Sequence, residues 1–427
     1  MEIQDFNPWW KTGVVSKEFE GMRRRENFEE IKRFIDARQI IVITGLRRTG
    51  KTVLLHHLIE YLLKKETEAK TIVYFNFDYL IDDIEGILQK HKETTGIDYK
   101  KEKIYLFLDE IQKLEDWQNK VKIFYDLYPH MKFFVSGSSS LFIRKRTKES
   151  LAGRSFDFQI SPLGFREYLQ LKNKEKILQN IVLYKSEIRD ELKSYIKTGG
   201  FPEIINETDD MTIKKYIKEL IVDKIVYIDI PEVFNIEEPA LLQTLIAIIS
   251  SSPGMIVDYE AIANDLKRNR KTIANYLWYL EEAFLIKKVY NFSKNRLTSE
   301  KKSKKFYPAS TAIASLYDAE YGKLIESIIL QNSHFKFFYR KGEKEVDFID
   351  VDEEKKVVLP IEVKARKTIE KDAKKGLIDF MKRFKVKEGI MITEDQESME
   401  RFSWFGETRN IKYIPLWKWL LNGKVFN

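Results

Sequence analysis

At 427 residues the chain is longer than one hydrophobic core usually serves, so several domains are expected; 43% hydrophobic and 33% charged residues exclude a disordered or fibrous chain. The absence of cysteine excludes disulfides, thiolate nucleophiles and cysteine-based zinc sites, and five histidines without metal-ligand spacing leave only oxygen ligands for any metal. A formal charge of +8 suits a polyanionic partner, although over this length local clustering matters more than the average.

Asn7, Pro8, Trp9 and Trp10 and the basic run Arg23, Arg24 and Arg25 precede an amphipathic helix ending near Arg38. Ile40 to Thr44 is an unalternated apolar run, the kind buried on both faces of a parallel sheet. A helix is predicted over Thr52 to Lys65, and further strands at Thr71 to Phe77, Ile104 to Leu108 and Lys132 to Val135 alternate with helical stretches. That pattern gives the fold class: α/β, a doubly wound parallel-sheet core over 1–161.

Residues 162–238 turn to helical periodicity, punctuated at Gly199, Gly200, Phe201 and Pro202, and read as a helical lid. Residues 239–293 carry helices over Asp258 to Lys267 and Lys271 to Ala283 and an apolar strand, a winged-helix pattern. The longest apolar region, Leu241 to Val257, is broken by Gln243, serines and Pro253, so no segment reads as membrane-spanning. With no signal peptide either, the expected compartment is the cytoplasm. Residues 294–427 combine a helix near Gly322 to Gln331 with strands at Phe335 to Arg340, Glu345 to Val351 and Val357 to Lys364, and read as a separate α/β domain.

Between the first strand and its helix lies Gly45, Leu46, Arg47, Arg48, Thr49, Gly50, Lys51 and Thr52, a G-x-x-x-x-G-K-[ST] P-loop. Its glycines let backbone amides turn toward a phosphate, Lys51 bridges the β- and γ-phosphates of ATP, and the Thr52 hydroxyl serves Mg2+. Asp109 and Glu110 end an apolar strand expected to neighbour the first one. Asp109 would hold the magnesium shell, and Glu110 would polarise the attacking water, which points to hydrolysis. The alternative is a solvated acidic pair after a core strand.

These motifs occur with Leu108 to Gln112, Ser136 to Ser139, Leu151 to Arg154, Pro162 to Tyr168 and Gly199 to Pro202. Taken together the chain resembles, end to end, AAA+ ATPases of a prokaryotic, mainly archaeal, group that combine a P-loop core with a winged helix and a C-terminal nuclease-like domain. The resemblance implies that Ser136 or Ser138 senses the γ-phosphate. It also implies that Arg154 reads the γ-phosphate in cis or from a neighbouring subunit of a homo-oligomer, against the alternative of a surface salt bridge. Arg144, Arg146 and Lys148 could instead line a polyanion channel.

At the start of the second winged-helix helix, Arg268, Arg270, Lys271 and Asn275 are residue types that touch phosphates and base edges in duplex DNA. The same module also suits a lid or a subunit interface. Further on, Asp347, Glu362 and Lys364 fall on alternating positions of adjacent strands and can share one face. Two carboxylates there can hold a magnesium that activates water, and a lysine can stabilise developing negative charge. The spacing matches PD-(D/E)xK nucleases, and by resemblance Glu326 completes the metal set. Lys304 to Ser310 departs from the pattern, with Pro308 and Ala309 where an acidic residue is expected after the aromatic pair. Two functions therefore stand open: an ATPase that cleaves structured or branched DNA, and a nucleotide-controlled switch or scaffold whose C-terminal domain binds without cutting.

Overall fold

A computed structural model describes residues 2–79, 83–137, 151–234, 236–352, 357–364 and 371–422. The chain divides into two compact units, Met1–Ser161 with Glu282–Phe284, and Pro162–Glu281 with Leu285–Asn427.

The first unit is built on five parallel strands, β1 (Ile40–Gly45), β2 (Ile72–Asn76), β3 (Tyr105–Asp109), β4 (Lys132–Gly137) and β5 (Ser155–Ile160), in the order β2-β3-β4-β1-β5. Every residue of β1 to β4 is buried, which explains their unbroken apolar runs. The helices Lys51–Lys64, Ile84–Thr95 and Trp117–Leu127 lie in the crossovers. The pattern Ser-Phe-Asp-Phe-Gln-Ile of β5 is half exposed, and its short alternation hid it in the sequence. The helix expected to end near Arg38 is shorter, Asn27–Lys32. Asn7, Trp9 and Trp10 have a clear structural use at edge strand β2. Asn7 exchanges hydrogen bonds with the Tyr74 backbone, and both indole N–H groups donate to the Ile72 carbonyl at 3.0 and 2.8 Å. An edge that would otherwise invite another chain is closed by side chains.

The second unit contains a nine-stranded mixed sheet: β6 (Met255–Ile256), β7 (Ile286–Asn291), β8 (Lys304–Pro308), β9 (Phe337–Lys341), β10 (Lys344–Asp352), β11 (Val357–Lys364), β12 (Glu388–Thr393), β13 (Ser398–Trp404) and β14 (Glu407–Pro415). Their spatial order is β13-β14-β12-β11-β10-β9-β7-β8-β6. The expected boundary between 293 and 294 does not separate two sheets. β7 pairs antiparallel with β8 and parallel with β9, so the strands next to the helices Tyr259–Asp265 and Arg270–Glu282 continue into the C-terminal sheet. Residues 162–238 also differ from a free-standing lid. Leu163, Phe165, Tyr168, Ile188 and Tyr195 share one core with Phe348, Ile361 and Trp417, so their apolar faces are buried against the C-terminal sheet. The helix Tyr321–Gln331 packs into this core, while Lys375–Phe384 covers a second core with Val346, Ile349 and Met391.

Candidate functional site

The P-loop follows β1 directly. Gly45, at φ +153°, has no room for a side chain, since a Cβ there would lie 2.1 Å from the Ile160 carbonyl oxygen of β5. Arg48 and Gly50 take the left-handed backbone that bends the loop around. The Thr49 hydroxyl closes it by donating to the Leu46 carbonyl at 2.8 Å. Lys51 is buried, and its ammonium donates to the carbonyls of Gly45 at 3.2 Å and Leu46 at 3.1 Å. Arg47 is half-buried and Arg48 exposed at the rim.

β4 intervenes between β1 and β3, so the Asp109 strand is not the immediate neighbour the sequence reading assumed. The consequence is chemical, because β4 delivers Ser136 between the P-loop and Asp109. The fully buried Asp109 carboxylate accepts from the Ser136 hydroxyl on one oxygen, and from Thr52 at 2.7 Å and Tyr74 at 2.9 Å on the other. Burial and the neighbouring Glu110 charge push its pKa up, against the pull of these hydroxyls. Glu110 sits just beyond in a left-handed conformation at φ +50°, where its carboxylate accepts from the Gln112 amide. A non-glycine residue in that region is strained, a condition that recurs at functional sites. Ser138, Arg144, Arg146 and Lys148 lie outside the described residues.

Arg154 is placed elsewhere. It directly precedes β5, where Ser155 is level with Ile40, at the opposite end of β1 from the P-loop and about 16 Å away at the rise of a strand. Its guanidinium makes a two-point salt bridge with Asp126, at 3.0 and 3.2 Å. Contact with a phosphate on the same subunit is therefore out of reach, and the surface salt bridge is what forms. Sequence reasoning overlooked Arg25, which is buried and donates to the carbonyl of Thr49 in the P-loop and, at 2.9 Å, to that of Ser161. It also overlooked Tyr74. The run of three arginines was the one visible signal for Arg25.

In the second unit the structure brings Asp347, Glu362, Lys364 and Glu326 together, though not by simple alternation. Between Val346 and Ile349 the pairing of β10 with β9 shifts register, and Asp347 lies in that irregularity. β10 and β11 remain paired from Phe348 and Ile361 outward. Just beyond, the Asp347 carboxylate accepts from the Val363 backbone N–H at 2.9 Å, standing in for a strand partner. Bulges of this kind re-aim side chains beside active sites. Glu362 is buried and accepts from Lys364 at 2.6 Å on Oε1, while Oε2 has no hydrogen-bond partner. Burial, then the Asp347 charge, pushes Glu362 up to about 8. The same two causes raise Glu326, which accepts from Tyr307 at 3.1 Å and Lys323 at 2.8 Å.

β8 supplies what the sequence reading missed. Lys305 and Tyr307, from the segment that departs from the nuclease pattern, reach Asp347 and Glu326, respectively. Among the described residues no three acidic or histidine side chains form a ready-made metal cage. A partnerless buried carboxylate oxygen beside Asp347 nevertheless fits a hard cation.

The basic helix start is divided. Arg268 is tied to Glu238 by a two-point salt bridge at 2.7 and 3.1 Å, which takes it out of the set of freely presented cations. Arg270, Lys271 and Asn275 are exposed, and the helix is capped by Asn269, whose side chain accepts from the Thr272 N–H at 2.7 Å. No described helix is long and apolar enough to cross a membrane.

Residues 37–169 match the AAA domain family, while 189–318 and 321–419 match two families described as domains of unknown function (DUF8612 and DUF4143). The carboxylate site therefore draws Lys305 and Tyr307 from one matched region and its acids from the other. An uncharacterized protein of Methanocaldococcus jannaschii is 28% identical over 416 residues, covering 90% of this chain and 88% of its own. An uncharacterized Haemophilus influenzae protein is 29% identical over 350 residues, covering 77% and 84%. Among solved structures, a Walker-type ATPase of Pyrococcus abyssi aligns with 71% of this chain and 97% of its own at 14% identity and a TM-score of 0.46. The ORC1 protein of Aeropyrum pernix, solved in complex with DNA, aligns with 75% and 95% at 12% identity and a TM-score of 0.33. With the order of β1 to β5 and the P-loop geometry, the AAA match identifies the first unit as an α/β P-loop core of the AAA type, joined in the same chain to a second, sheet-containing unit.

Proposed function

We propose that this protein hydrolyses ATP at the P-loop and acts on DNA, with magnesium-dependent cleavage at the carboxylate cluster of the second unit. The observation that supports the ATPase half is the meeting of Thr52 and Asp109 at 2.7 Å, with Ser136 on the same carboxylate. Magnesium bound there with the nucleotide would neutralise charge on the β- and γ-phosphates. Thr52 and Asp109 would hold it, Lys51 would leave the loop carbonyls for the phosphates, and Glu110 would orient and deprotonate the attacking water. Arg154 could serve this site only from a neighbouring copy in a homo-oligomer.

What supports cleavage is the unpartnered Glu362 oxygen. Burying several carboxylates in one cluster costs stability that packing alone would not demand, and such clusters concentrate at functional sites. Asp347 and Glu362 would hold one magnesium that polarises a phosphodiester, with Lys364 stabilising the charge that develops. Duplex or branched DNA suits the exposed Arg270, Lys271 and Asn275. One observation favours the second reading, a nucleotide-controlled switch that binds without cutting: lysines already engage Asp347, Glu362 and Glu326. The two separate on metal-dependent cleavage of duplex, single-stranded and four-way-junction DNA by wild type and Asp347→Ala. Cutting by wild type alone supports the nuclease; no cutting on any substrate, or equal cutting by the variant, leaves the switch.

A further inference from the structure

Lys305 is a lysine that neither the P-loop chemistry nor the Asp347, Glu362 and Lys364 arrangement uses. It lies on β8 with 2% of its side chain exposed, so it cannot touch a substrate. Its ammonium is 2.5 Å from Glu345 Oε1 and 3.7 Å from Asp347 Oδ1, over the face of Phe338. An ammonium this deep is retained only where carboxylates compensate it, and their combined charge here holds its pKa above the ordinary lysine value despite burial.

The neighbouring acids are accounted for one by one. Glu345 is engaged by Lys305 and Arg340, Glu326 by Tyr307 and Lys323, Asp347 by the Val363 N–H and Lys305, and Glu362 by Lys364 through Oε1 alone. The unsatisfied acceptor is Glu362 Oε2. A site with two divalent cations needs carboxylates to bridge and surround both ions about 4 Å apart. Here a fixed ammonium already sits 3.7 Å from Asp347 Oδ1. We propose that Lys305 is the resident cation of this cluster, a positioning residue that holds the Asp347 carboxylate in place and limits the site to a single divalent ion between Asp347 and Glu362. The proposal rests on reading the cluster as a metal site.

The test is Mn2+ binding to the nucleotide-free full-length protein, followed by calorimetry and electron paramagnetic resonance, a readout independent of cleavage. Wild type should bind one ion more than Asp347→Asn. Lys305→Met should bind two more, and Lys305→Arg, which restores the charge, should return to one. Retention of a single ion by a folded Lys305→Met overturns the proposal. Should Lys305→Met lose its near-ultraviolet circular dichroism, Glu345→Gln decides. Without its closer partner, Lys305 then bears more heavily on Asp347 and weakens Mn2+ about tenfold, whereas unchanged affinity overturns the proposal. If Asp347→Asn loses no ion, the metal site itself is wrong; if it loses one and Lys305→Met matches wild type, the Lys305 assignment alone fails.

Discussion

Asp109 is held by hydroxyls from the P-loop helix, β2 and β4, and of these only Thr52 belongs to a motif that spacing reveals. Tyr74 lies 35 residues upstream of Asp109, and its hydroxyl arrives through strand pairing that places Asn76 level with Asp109. Nothing in an apolar run announces such a contact, and the same holds for Arg25 and Lys305, whose partners are distant in sequence. Tyr74→Phe should therefore cost about 1–3 kcal/mol of stability, because a buried carboxylate loses a donor, and should weaken magnesium-dependent ATP turnover; denaturant titration and steady-state hydrolysis measure the two effects. His56 gives a second residue-scale test. It stacks on Phe19 at 3.8 Å between ring centroids, and burial drives its pKa down to about 3. The folded state thus keeps His56 neutral where the unfolded chain, near pKa 6.5, takes up a proton, so stability falls as pH drops below 6.5 toward 3. Between pH 7 and 5 this contributes about 2 kcal/mol of loss, and His56→Gln should show a smaller loss than wild type over the same interval.

At the scale of elements, β1 to β4 were legible because burial on both faces demands continuous apolar residues, and the P-loop marked where the first one ends. Half-exposed β5, β13 and β14 lacked that signature, and the buried run of β12 was too short to stand out. Strict alternation along β10 would not have predicted the register shift at Asp347, whose carboxylate accepts from the Val363 N–H. Lys132 shows how a polar residue can open a buried strand. Its ammonium donates to the carbonyls of Phe34, Ala37 and Gln39 at 3.0, 2.6 and 2.5 Å, closing the turn before β1. Lys132→Met keeps the apolar stem and strands three carbonyls, so a loss of about 3 kcal/mol is expected by thermal or denaturant unfolding. A loss below about 0.5 kcal/mol would mean that water satisfies them as well.

For the whole molecule, the P-loop core was readable from motif and period, whereas the later boundaries were not, because helices and strands at 162–293 complete the core of the C-terminal sheet. DNA binding tests how far the basic residues matter at this scale. Arg268 is held by Glu238 at 2.7 Å and Arg270 only loosely, 3.7 Å from Glu260, so the exposed Arg270 and Lys271 are the better candidates for phosphate contacts. Reversing both charges should weaken duplex binding at fixed salt and lower the salt dependence by about two counterions, while reversing Arg268 alone should matter less. The central claim remains hydrolysis at the P-loop, and steady-state magnesium-dependent ATP turnover by wild type and Lys51→Ala measures it most directly. Loss of the bridging ammonium should reduce turnover at least about a hundredfold. Equal rates in the two proteins would contradict the account.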